Sequence, residues 1–151
     1  MENYAYALVV IGWVNIFFAI YTWQAAKNSQ AVKFFAGSLL SVGLWGIGLA
    51  GFLGTNDPTI ALYWAKFHYV ASIYVAYFVL LFALALSGSK KISFLKQTLL
   101  HIPILIVSGI TIFSNALLLK SVVIETTGNI ALLYKPGHVV YGIVFVIYYL
   151  I

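Results

Sequence analysis

Lys66 and His68 stand inside an apolar stretch that runs from Ile60 to Leu86. A cation and a titratable imidazole are costly at membrane depth, so such groups turn toward protein or water rather than lipid. Lys66 would lie ~9 Å inside the start of a helix over this stretch, by helical rise. Its long stem can reach back to the headgroup level, or its ammonium can find a partner inside the bundle. Asp57, in the preceding turn, is the obvious carboxylate. A second imidazole, His101, falls on the next apolar run, which points the opposite way across the membrane. Counting rises puts His68 and His101 roughly 10 Å apart along the membrane normal. That separation disfavours a single haem iron held by both, although two histidines in an apolar bundle are a known haem pattern. His138 could approach His68, but a pair of histidines with no cysteine or third ligand is a poor zinc set. Each histidine is therefore read as a hydrogen-bonded packing or interfacial residue, and no metal or cofactor is assigned.

The run that carries His101 also holds Pro103, which cannot donate to the helix and crowds the residue four back, so a kink is expected there. Ser108, Thr111, Ser114 and Asn115 follow at three- and four-residue spacing. They form a polar stripe that can be either helix glue or the lining of a ligand site. No catalytic constellation accompanies these residues. The acids are Glu2, Asp57 and Glu125, none of them deep in an apolar run. Neither a glycine-rich loop ending in Lys-Ser or Lys-Thr nor a nucleophile with its base and orienting acid is found. A chain of buried carboxylates, the usual need of an ion-driven transporter, is also missing.

The elements that would position these side chains are apolar helices. The 151 residues are 64% hydrophobic and 7% charged, whereas a soluble domain is nearer a quarter charged. So few polar groups cannot cover a soluble fold, and the bilayer must act as solvent. The sequence has no cysteine, which excludes disulfides and thiolate metal sites. Its net charge of +5 comes from lysines set singly or in pairs beside apolar runs. That placement fits anionic headgroups rather than nucleic acid. Glu2 and the lack of an early basic residue argue against a cleavable signal peptide.

Five apolar runs can be drawn, at about 4–25, 34–53, 60–86, 94–118 and 138–151, forming one transmembrane domain over 1–151. The expected fold is an all-α integral membrane protein, a five-helix bundle. The last run would cover only ~21 Å as a helix, short of a full crossing. Asp57 or Asn56 can cap the third helix, and Pro58 suits its first turn. Between helices four and five, 122–124 and 130–134 flank Thr-Thr-Gly-Asn and predict a short extracytoplasmic β-hairpin turning at Gly128 and Asn129. Lys27 and Lys33 lie in one loop and Lys90, Lys91 and Lys96 in another, so the positive-inside rule places both loops inside and the N-terminus outside. Helix two is studded with Gly37, Ser38, Ser41, Gly43, Gly46, Gly48 and Gly51, small residues that allow close helix approach. Helix three carries aromatics on all sides, from Tyr63 and Trp64 to Phe82, and is expected to be the central packing element, with Gly46 and Gly48 facing it.

The order of several features resembles a known family. Trp45 lies midway along helix two and is followed by the acid-proline turn and by Trp64-Ala65-Lys66-Phe67-His68-Tyr69. The run Phe78 to Leu86 with Ser87-Gly88 comes next, then His101-Ile102-Pro103, Thr111 and Asn115, a loop, and an aromatic-rich fifth helix. This pattern is similar to the N-terminal seven-helix membrane region of bacterial and archaeal sensor histidine kinases, which also precedes diguanylate cyclase and PAS modules. The likeness covers nearly the whole chain and rests on order and spacing. Two features depart from it. Family members often have a proline midway along helix three, where this sequence has Ala71, Ser72 and Ala76. The family also has seven helices and a cytoplasmic output domain, whereas here the sequence stops in a fifth helix and shows no phospho-acceptor box or nucleotide-binding motif.

The resemblance implies a sensory, signal-input membrane domain without a catalytic part, in the cytoplasmic membrane of a prokaryote. It implies a homo-oligomer or a fused or associated output domain as partner, beside the lipid bilayer, and no nucleic acid. The chain is then a piece of a longer reading frame or a stand-alone sensor piece. The candidates for ligand sensing are Lys66, His68, His101, Asn115, Trp45 and Trp64. A small transporter or channel subunit, or a structural subunit of a membrane complex, is the alternative.

Overall fold

The computed structural model describes residues 2–88, 91–113, 119–124, 130–134 and 138–150. Five helices are present among them: α1 (Glu2–Ala25), α2 (Gln30–Leu53), α3 (Pro58–Ser87), α4 (Phe94–Phe113) and α5 (His138–Leu150). The first four are long and apolar enough to cross a membrane. Helices satisfy their backbone hydrogen bonds internally, which is what lipid demands of any spanning segment. Between α4 and α5, β1 (Leu119–Ile124) pairs antiparallel with β2 (Ile130–Tyr134), with Val122 opposite Leu132 and Ile124 opposite Ile130. The expected turn at Gly128 and Asn129 lies outside the described residues.

Capping explains two of the helix starts. Asp57 accepts from the backbone N–H of Thr59 at 2.7 Å and of Ile60 at 3.2 Å, and Pro58 fills the first helical position. α2 begins at Gln30 rather than at Phe34, because Ser29 caps it by accepting from Val32 N–H. Hydropathy had no reason to include Gln30 and Lys33, whereas the cap does. α4 is described as far as Phe113, so the expected continuation to 118 falls outside the described residues.

Burial and centrality fall on different helices: α2 is the more buried, while α3 is, as expected, the one on which most of the others pack. Half of the most apolar 18-residue window of α2 is buried, against 33% for α3, 22% for α4 and 11% for α1. α2 is the buried helix because small residues line two of its faces. Gly43 lies backbone to backbone against Gly12 of α1, where a methyl would come within 2.7 Å of the Gly12 carbonyl oxygen. Gly46 also faces α1, toward Leu8 and Gly12, and not α3 as expected. Gly37, Gly48 and Gly51 face α3, meeting Phe78, Phe67 with His68, and Trp64 respectively. α3 is instead the element with the most neighbours, touching α2, α4, α5 and β1. The main core gathers Ile73, Tyr77 and Leu81 of α3, Ile104 and Val107 of α4, and Tyr148 of α5. A smaller cluster of Phe52, Ala61 and Ala65 fills the α2–α3 seam at the Asp57 end.

The lysine-bearing end is tied by glutamines. The Gln30 side chain donates to the Ile92 carbonyl (3.1 Å) and accepts from Ile92 N–H (2.8 Å), while Gln97 donates to the same carbonyl at 3.0 Å. The segment before α4 is thereby fixed to the start of α2.

Candidate functional site

Two polar clusters lie along α3, and α4 runs antiparallel beside both. Near the Asp57 end, Lys66 Nζ donates to the Ile112 carbonyl at 3.2 Å. The internal partner of Lys66 is therefore a backbone carbonyl of α4 rather than Asp57, which is occupied in capping α3. His68, two positions on, points the other way. Its Nδ1 lies 3.2 Å from the Trp45 carbonyl oxygen and its ring is 5.2 Å from the Trp45 ring, with Tyr69 edge-on at 5.5 Å. Trp64 packs edge-on to Phe67 and lies over Gly51. It also walls a groove of about 350 Å³ together with Tyr6, Val9, Ile47 and Gly51.

The second cluster lies ~9 Å further along α3 by helical rise, at Tyr74. There the Tyr74 hydroxyl and His101 Nε2 are 3.0 Å apart, and Tyr77 stacks on the His101 ring at 4.9 Å and 22°. Tyr77 donates its hydroxyl to the Gln97 carbonyl at 3.2 Å. Tyr148 of α5 donates to the Leu100 carbonyl. Pro103 cannot donate to the Leu99 carbonyl; the Tyr77 and Tyr148 hydroxyls reach other carbonyls of α4 before it, those of Gln97 and Leu100. Hydroxyls from α3 and α5 thus grip α4 on the Phe94 side of its proline, and the lysine grips it on the far side.

Of the sequence candidates, the structure brings Trp45 together with His68, places Lys66 and Trp64 on the same α3 turn, and sets His101 apart in the tyrosine cluster. Asn115 lies outside the described residues, as does Ser114. The polar stripe of α4 is otherwise buried against the bundle. Thr111 donates to its own helix at the Val107 carbonyl (2.8 Å), and the buried Ser108 hydroxyl has no partner among the described residues. No cluster of His, Cys, Asp and Glu suited to a metal occurs among the described residues. Sequence reasoning counted Tyr74 and Tyr77 among the helix-three aromatics, which want hydrogen-bond partners when buried, but not among the site candidates, and it did not name Tyr148.

This arrangement defines a multi-pass membrane bundle with polar side chains reaching from two helices to the backbone of a third. The family described as the N-terminal 7TM region of histidine kinase matches residues 7–151, and the chain belongs to it. No curated protein and no solved structure matches the chain significantly.

Proposed function

We propose that this chain is a signal-input region in which α4 is the responding element, held by side-chain ties from α3 and α5 against a platform of α1, α2 and α3. The observation that carries this reading is the set of ties on both sides of Pro103: Lys66 to Ile112, Tyr77 to Gln97 and Tyr148 to Leu100. A stimulus near Lys66 and Trp64 shifts the balance only if it binds one arrangement of α4 better than the other. The movement would pass along α4 to the lysine-bearing end, where Gln30 and Gln97 hold Ile92. That end is read as cytoplasmic in a prokaryotic cell membrane, with the β1–β2 segment on the opposite side. A kinase output module receives the shift.

The test joins the region to a histidine kinase catalytic module and measures autophosphorylation in membranes. Interhelical hydrogen bonds in membranes average ~0.6 kcal/mol, so Lys66→Met or Tyr148→Phe should each change the basal level about threefold. A control, Phe94→Leu on an exposed position of α4, should leave it unchanged. Basal activity identical in all variants would defeat the proposal.

A further inference from the structure

A groove of about 290 Å³ opens toward lipid at the lysine-bearing end, between α1 and α2 and floored by Phe78 of α3. Small residues make it: Ala19, Ala36 and Gly37 leave the space that Ile20 and Leu40 border. Gly37 is required there, since a methyl on it would come within 2.6 Å of the Phe78 ring. The groove is almost wholly apolar and near the small end of ligand-pocket volumes. Its mouth is different in character. Trp23 and Gln24 form the rim, and Lys33 Nζ stands 5.8 Å from the centre of the Trp23 ring.

The charge of this end needs an external partner. Lys27, Lys33, Lys91 and Lys96 gather here, with Lys90 in the same loop by sequence. The acids of the sequence are Glu2, Asp57 and Glu125. Glu2 opens α1, ~34 Å by helical rise from its lysine-bearing end, and Asp57 caps the opposite end of α3. No carboxylate of α1, α2, α3 or α4 is therefore placed to neutralise Lys33. An apolar slot that ends at an uncompensated ammonium and an amide matches a molecule with a long hydrocarbon chain and an anionic head.

We propose that this groove is an anionic phospholipid site, with an acyl chain along Ala19, Ala36 and Phe78 and the phosphate at Lys33 and Gln24. A juxtamembrane lysine near an anionic headgroup is worth about fivefold in affinity. The site lies on the α1–α2 side, away from α4, and does not depend on the signalling role proposed for that helix.

The test is native mass spectrometry of the full chain, released from detergent with phosphatidylglycerol or phosphatidylcholine of the same acyl length. The wild type should retain one phosphatidylglycerol at concentrations where phosphatidylcholine is not retained. Lys33→Gln should weaken that retention about fivefold, and Lys91→Gln, outside the groove, should not. Ile20→Trp fills the groove from an exposed position and should abolish retention while circular dichroism and thermal midpoint stay unchanged. Should Ile20→Trp not fold, Leu40→Trp, also exposed, serves the same purpose. Equal retention of the two lipids, equal effects of the two lysine substitutions, or retention unaltered when the groove is filled would overturn the proposal. Displacement of the lipid by glycerol 3-phosphate alone would overturn it too, by showing a phosphate site that needs no acyl chain.

Discussion

Gly46 and Gly48 lie two positions apart on α2, and the structure gives them different neighbours and different responses to a methyl group. At Gly48 a methyl carbon would stand 2.9 Å from Phe67 Cδ1, 3.0 Å from His68 Cα and 3.1 Å from His68 N. Carbon contacts settle near ~3.5–4.0 Å, so α2 and α3 would have to part by roughly half an ångström. Two of the three close atoms are backbone and cannot swing aside. Overpacking of this kind costs ~1–3 kcal/mol. At Gly46 the nearest atoms are the Leu8 carbonyl oxygen at 3.5 Å and Gly12 Cα at 3.8 Å, which is ordinary contact. The few added contacts are worth ~0.1–0.2 kcal/mol each. Membrane helices form before they associate, so the helix-propensity difference between Gly and Ala contributes little to either case. With roughly 2–4 °C of midpoint per kcal/mol, Gly48→Ala should lower the thermal midpoint in detergent by about 2–12 °C. Gly46→Ala should move it by less than about 2 °C. Tryptophan fluorescence during heating reads both. Equal losses, or the larger loss at Gly46, would refute the assignment of the two faces of α2.

Lys27 sits at φ 44 just after α1, in the left-handed region that costs a residue with a Cβ ~1–2 kcal/mol and that Asn tolerates better. Lys27→Asn should therefore raise the thermal midpoint, and an unchanged or lower one counts against strain at that turn. Ser108→Ala should be neutral or stabilising by up to about 1 kcal/mol, because it removes a buried hydroxyl without a described partner; a clear loss of stability in chemical denaturation would mean that the hydroxyl is bonded. Cysteines introduced at Ser29 and Ser89 should react in intact cells only with membrane-permeant maleimide, and labelling by an impermeant reagent would reverse the orientation read from the lysine loops.

The legible parts of the fold were those written in local chemistry. Hydropathy marked the spans, and Asp57-Pro58 announced the start of α3 because a carboxylate and a proline act on the turn that contains them. The start of α2 was less visible, since Ser29 outranked the apolar boundary at Phe34. Helix partners were not legible. Gly46 and Gly48 look alike in a list of small residues, yet ~100° of rotation per residue sends one toward α1 and the other toward α3. At the candidate site, Lys66 could be seen to need a partner, but a backbone carbonyl carries no sequence signature and Ile112 could not have been named. The link from Gln30 to Ile92 is hidden for the same reason: an amide side chain meeting a peptide group leaves no charge pattern to read.

The central claim is that α4 can shift against a fixed α1–α2–α3 platform when its ties are cut. The sequence has no cysteine, so spin labels can be placed in chosen pairs and their distances measured by pulsed electron resonance in lipid nanodiscs. One pair joins Asn56, in the α2–α3 turn, to Phe113 on α4; a second joins Asn56 to Tyr6 on α1, all at exposed positions. Lys66→Met should displace or broaden the Asn56–Phe113 distribution and leave the Asn56–Tyr6 distribution as it is. Two unchanged distributions, or an equal change in both, would contradict the account.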